Sequence, residues 1–152
     1  MKNARTIKYL ITLFAVLLAI FASQARAEET VKEHKMGNRF THVVFQMSDD
    51  DPKKWSLMLN NVKNVQQELG TGNADIEVVT FGPGVNMLKL ESTVADRVDE
   101  ALNAGVKIVA CENTMRSLKL GKSDMMSTIA YVPAGVVEII KKQNEGYAYI
   151  RP

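Results

Sequence analysis

One side chain in this 152-residue sequence has the chemistry to attack or carry sulfur: Cys111, the single cysteine. It ends the apolar run Val106 to Ala110 and opens the turn-forming stretch Glu112-Asn113-Thr114. A buried strand should give way there to a turn and a short helix, Met115 to Leu120. Amides at such a junction stabilise a thiolate and bring a thiol pKa from ~8.5 towards the ~3.5–7.5 range. A thiolate can attack sulfur or hold it as a persulfide. The competing reading is a small buried hydrophobe, which is how most free cysteines behave. One cysteine excludes an internal disulfide, a four-cysteine zinc site and a two-cysteine redox motif.

Other groups are weaker. His42 opens the first strand, so it belongs at the sheet edge opposite Cys111, and His34 lies in a polar arm; neither suits a Cys–His pair. Activation of Cys111 must come from amides, the helix dipole or a cation such as Arg116 or Lys119. Glu112 should face solvent, since a carboxylate turned inward would raise the thiol pKa. Asp49-Asp50-Asp51 could bind a hard cation, but no spaced Gly or bidentate Glu follows as in a calcium loop. A helix cap plus a solvated loop fits better. Gly82-Pro83-Gly84 is neither a P-loop nor a dinucleotide fingerprint. Met87, Met115, Met125 and Met126 invite copper(I) beside Cys111. Their spacing is not ligand-like, and core packing is the simpler role.

These residues must be positioned by a repeating strand–helix pattern. Thr41 to Met47 reads as a strand covered on both faces. Asp51 caps a helix with Pro52 at its first position, and Gly70 stops it. Its stripe is Trp55, Met58, Leu59, Val62, Val65 and Leu69. Strands are expected over 76–81, 106–110, 128–132 and 147–150. A second helix should follow Ser92 or Thr93. A last helix should start at Pro133, carry Val136, Val137, Ile139 and Ile140, and close near Gly146. Parallel strands joined by right-handed crossovers give a three-layer α/β/α sandwich with a mostly parallel sheet of about five strands. Ligands bind such sheets beyond the carboxyl ends of the strands. Ser48–Asp51, Gly82-Pro83-Gly84, Cys111–Thr114 and Pro133-Ala134-Gly135 converge there. Gly82, Gly84, Asn113, Thr114 and Gly135 are the candidate ligand-binding residues around Cys111.

The N-terminus reads as a signal peptide over 1–27. Lys2, Arg5 and Lys8 precede an apolar run, Leu10 to Ala22, and Ala25-Arg26-Ala27 offers a cleavage site. That run spans ~20 Å as a helix, short of a ~30 Å hydrocarbon core. Residues 28–40 form a flexible arm and 41–152 the folded domain, expected in the periplasm with no membrane attachment after cleavage. Of 19 Lys and Arg, four (Lys2, Arg5, Lys8, Arg26) leave with the peptide, so 15 face 17 Asp and Glu. That balance largely excludes a basic groove for nucleic acid. A hydrophobic content of 46% excludes a disordered chain.

Four stretches then carry a resemblance: FQMSDDDPKKWSLMLNNVKNVQQELG, VVTFGPGVNMLKL, GVKIVACENTMRS and YVPAGVVEIIKKQNEGYAYIRP. The chain resembles the DsrE/DsrF-like sulfur-relay family, in its exported single-cysteine branch. Ala110-Cys111-Glu112-Asn113-Thr114-Met115 is the most specific piece, supported by the FGPG and VPAG turns. The resemblance implies an α/β/α fold and a homo-oligomer, trimer or hexamer. It implies that Cys111 matches the cysteine that carries sulfur as a persulfide, served by a sulfur donor or acceptor protein. Apolar residues without a stripe (Val85, Met87, Leu88, Leu118, Met125, Met126) suggest a contact surface.

The leading expectation is a periplasmic sulfur carrier, at most sulfurtransferase-like, that needs no cofactor or metal. The alternatives are a non-catalytic oligomeric module whose ligand or metal pocket Cys111 lines, and a structural oligomer with an inert thiol.

Overall fold

The computed structural model describes residues 40–70 and 72–152. The expected signal peptide, His34 and all of the expected arm except Phe40 lie outside the described residues. The chain runs β1 (Thr41–Met47), α1 (Pro52–Leu69), β2 (Ala74–Thr80), α2 (Ala95–Asn103), β3 (Lys107–Cys111), α3 (Glu112–Ser117), β4 (Ala130–Val132), α4 (Gly135–Asn144) and β5 (Ala148–Ile150). Two 3-10 segments, Gly82–Leu88 and Lys122–Asp124, interrupt the connections. Among the described residues no helix is long and apolar enough to cross a membrane.

The five strands form one all-parallel sheet in the order β4-β3-β2-β1-β5. The chain steps outward from β1 to β4 and then crosses back to place β5 on the other side of β1. A right-handed crossover in that reversed direction puts its helix on the opposite face. The two faces are accordingly unequal. Val43, Phe45 and Met47 of β1 enter a large cluster with Trp55, Met58, Leu59 and Val62 of α1, Val98 and Ala101 of α2, and Met115 of α3. Val44 points the other way, into a small cluster with Val79, Val109, Val132 and Ile139 of α4. A strand buried on both faces explains the continuous apolar runs.

Local signals act as their chemistry requires. Asp51 Oδ1 accepts the Lys53 amide at 2.8 Å and caps α1. The cap of α2 falls later than either Ser92 or Thr93: Val94 is the N-cap, and its amide donates to Ser92 Oγ at 3.4 Å. α4 starts at Gly135 rather than Pro133, because Ala134 is extended and the Pro133 carbonyl accepts the Asn113 amide at 3.2 Å.

One expectation is corrected. Val85, Met87, Leu88, Met125 and Met126 are buried in the large cluster and are no contact surface. Their loops pair through a Lys89–Met125 antiparallel bridge, with Leu90 N–H on Asp124 O at 3.1 Å and Met126 N–H on Leu88 O at 3.0 Å. That pairing folds both segments inward; of the six, Leu118 alone stays exposed. The apolar residues of α4 divide between interior and surface. Ile139 is buried, but Val136, Val137 and Ile140 are 54%, 50% and 51% exposed. The helix seats instead through Gly135, Ile139 and Lys142, one face at i, i+4 and i+7.

Candidate functional site

β3 ends at Cys111, which is also the N-cap of α3. Its register partner is Val132 of β4. On the other flank β2 ends at Thr80 and the chain turns at Phe81-Gly82. Gly82 has φ 53°, a left-handed conformation that costs glycine little. The turn aims the Gly82 amide at Thr114 Oγ1, 2.9 Å away. α4 completes the enclosure. A Cβ added to Gly135 would lie 3.0 Å from Phe81 Cβ and 3.3 Å from Cys111 Cβ, so any larger residue would have to push these neighbours back.

Cys111 is 5% exposed. Burial pushes its thiol pKa up, since a charged sulfur loses water. The Thr114 hydroxyl opposes this, followed by the amides of Gly135, Thr114 and Asn113, and together they hold the thiol below its ordinary value. Asn113 contributes least, and its amide also donates to Pro133 O at 3.2 Å. All these donors are neutral. The site can hold one negative charge on sulfur.

The candidate residues divide in two. Gly135 and Thr114 act on the sulfur directly, and Gly82 acts through Thr114. Gly84 and the Asn113 side chain have other engagements. The Gly84 amide donates to Ser48 O at 3.2 Å, and a Cβ there would sit 2.5 Å from Met47 O. Asn113 Oδ1 accepts from Arg116, which occupies that cation. His42 stands at the start of β1, opposite the Cys111 edge. Phe81 went unnamed among the candidates; its signal is the aromatic directly before Gly82-Pro83-Gly84.

The triple aspartate is absorbed locally. Asp51 caps α1. Asp50 accepts from Asn86 at 2.9 Å. Asp49 pairs with Lys54 at 2.8 Å and Arg151 at 3.7 Å, and Lys54 chiefly holds its carboxyl below the usual range. Among the described residues no three His, Cys, Asp or Glu side chains converge as metal ligands. Met87, Met115, Met125 and Met126 pack in the large cluster.

Comparison with known proteins agrees with this architecture. A protein of unknown function from Methanobacterium thermoautotrophicum superposes with a TM-score of 0.70 at 37% identity, over 74% of this chain and 99% of that one. A conserved protein of unknown function from Bacteroides thetaiotaomicron shares the fold, with a TM-score of 0.60 at 14% identity over 73% and 94% of the two chains. No curated protein matches the chain. The model of the DsrE/DsrF-like family matches residues 20–152. The chain belongs to the DsrE/DsrF-like family.

Proposed function

We propose that the protein is a sulfur carrier that holds sulfane sulfur on Cys111 as a persulfide and passes it to an acceptor thiol. The observation that carries this reading is the place of Cys111 at the end of β3 and the N-cap of α3, with the α4 backbone pressed against it at Gly135; the neutral Thr114 hydroxyl and neighbouring amides there favour the thiolate against burial. Family membership supports sulfur relay as the general class. In the loading step the Cys111 thiolate attacks the outer sulfur of a hydropersulfide, R–S–SH. A new S–S bond forms, the old one breaks, and R–S⁻ leaves with the electron pair. Cys111 becomes Cys–S–SH, and no oxidant is consumed. The terminal sulfur, once ionised, needs the same amide and hydroxyl donors as the thiolate.

Export belongs to the same proposal: residues 1–27 direct the chain to the periplasm, and sequencing of the exported protein should start at Glu28. So does self-association, for which the exposed Val136, Val137 and Ile140 on α4 provide an apolar stripe.

The 5% exposure of Cys111 favours a second reading, a structural thiol. Mass spectrometry after polysulfide treatment separates the two. The carrier gains about 32 Da, one sulfur, on Cys111 in the folded state, and Cys111→Ser gains nothing. Modification that occurs only after unfolding establishes the structural thiol instead.

A further inference from the structure

Glu77 is a carboxylate inside the buried strand β2, 1% exposed. Its Oε2 lies 3.0 Å from Lys107 Nζ and 3.6 Å from Lys142 Nζ. Its Oε1 is buried with no hydrogen-bond partner among the described residues. Lys107 starts β3, the neighbouring strand, whereas Lys142 comes down from the last turns of α4. The carboxylate therefore ties the helix to the sheet.

The rest of that attachment is slight. Gly135 presses on Phe81 and Cys111, and Ile139 fills the small apolar cluster. Lys142 meets Glu77 from the same face. A short helix with three seats takes its tilt from the outer two. One of them is the Gly135 amide at the sulfur and the other is Lys142 at Glu77.

We propose that Glu77 is a positioning residue for the sulfur site: by seating Lys142 it fixes the tilt of α4 and holds the Gly135 amide against Cys111 at the opposite end of the helix. This deepens the carrier reading and rests on Cys111 being its working atom. A buried ion pair is a poor source of net stability, because both ions lose their water. The orphaned Oε1 makes Glu77 poorer still in that respect, and an apolar side chain would serve stability better. What the pair supplies is one preferred geometry, the registry role in which buried ionic groups are best attested. The surroundings keep Lys142 charged and in place. Burial disfavours its charge, but Glu145 at 3.0 Å and Glu77 outweigh it and raise its pKa. Its ammonium also sits 4.7 Å from the Tyr147 ring centroid, and Tyr147 is itself anchored by its hydroxyl on Asp75, beside His42.

The test is a titration of the Cys111 thiol, with no sulfur donor present, in Lys142→Met, Lys107→Met and Glu77→Gln. Lys142→Met keeps an apolar stem but releases the helix from Glu77. Lys107→Met removes the other partner and leaves the helix seated. The expected result is a thiol pKa raised by about half a unit, roughly threefold less thiolate, in Lys142→Met and Glu77→Gln, with Lys107→Met unchanged. Gly135→Ala combined with Glu77→Gln should be less than additive, since both act on one amide. Equal shifts in the two lysine variants would reveal a general charge effect and overturn the proposal. So would an unchanged thiol in folded Lys142→Met. If Glu77→Gln does not fold, the lysine pair decides alone. Because sulfur loading is not measured, failure here and failure of the carrier reading are separate results.

Discussion

The Gly82 amide donates to Thr114 Oγ1 at 2.9 Å, and the Thr114 hydroxyl acts in turn on Cys111. The two contacts fix each other's sense. With its oxygen accepting from Gly82, Thr114 directs its one hydrogen to the sulfur. The turn after β2 thus reaches a residue at the end of β3 through a side chain of α3, and the hydroxyl can stabilise a thiolate without competing for a proton.

Thr114→Val keeps the shape and removes that hydrogen. The thiol pKa should rise by roughly one unit, because the leading opponent of burial is lost. An unpaired Gly82 amide should also cost about 1–3 kcal/mol of stability. Thr114→Ser should restore both. Ultraviolet titration of the thiolate and urea unfolding read the two effects; a threonine-free site with an unshifted thiol would remove the hydroxyl from the cradle.

Two glycines that look alike in sequence should respond differently to alanine. At Gly84 the new Cβ would meet the Met47 carbonyl oxygen at 2.5 Å, a backbone atom that cannot swing aside. At Gly135 it would meet Phe81 side-chain carbons at 3.0 and 3.1 Å, which can yield a little. Gly84→Ala should cost about 3 kcal/mol or more and leave the thiol alone in whatever fraction folds. Gly135→Ala should cost about 1–2 kcal/mol and raise the thiol pKa as the α4 amide withdraws. Denaturant midpoints with thiol titration decide it, and equal costs would show that the two contacts do not differ in stiffness.

Much of this was legible because the deciding signals were local. Asp51-Pro52, Gly70 and the doubly buried run Thr41–Met47 state their own structure, and the alternation of strands and helices left few topologies. Cys111 could be found as the one thiol at a strand end. Less local features were hidden. Val85, Met87 and Leu88 look like loose loop residues until the Lys89–Met125 bridge folds their segment inward. Val136, Val137, Ile139 and Ile140 stand out as apolar in the sequence of α4, but the helix rests on Gly135, Ile139 and Lys142, because the cluster beneath it is too small to bury more. The partner of Lys142, Glu77, is 65 positions away. A lone carboxylate in Ile76-Glu77-Val78 was the available sign.

Self-association through α4 predicts a sharp effect at one position. Val137 is half exposed beside Val136 and Ile140 on α4. Val137→Glu should leave the fold intact and reduce the light-scattering mass to a single chain, about 14 kDa after removal of residues 1–27. An unchanged assembly would move the interface to another surface.

The thiol makes stability depend on pH with a definite sign. Folded Cys111 ionises below the ordinary thiol value of ~8.5 expected for the unfolded chain. Between the two values the unfolded state binds more protons than the folded one, so stability rises with pH. The gain begins as pH climbs through the folded pKa and is complete above the unfolded value. It disappears when pH falls back through the folded pKa. Cys111→Ser has no group that titrates there, and its unfolding free energy should lack this rise. The difference between wild type and Cys111→Ser, measured by urea unfolding under reducing conditions from pH 5 to about 9.5, should therefore widen in favour of wild type as pH increases. Each unit of pKa depression contributes about 1.4 kcal/mol to that widening. A difference that narrows with pH would mean burial dominates and the folded thiol ionises above the unfolded value, leaving the neutral donors too weak to hold a sulfur anion.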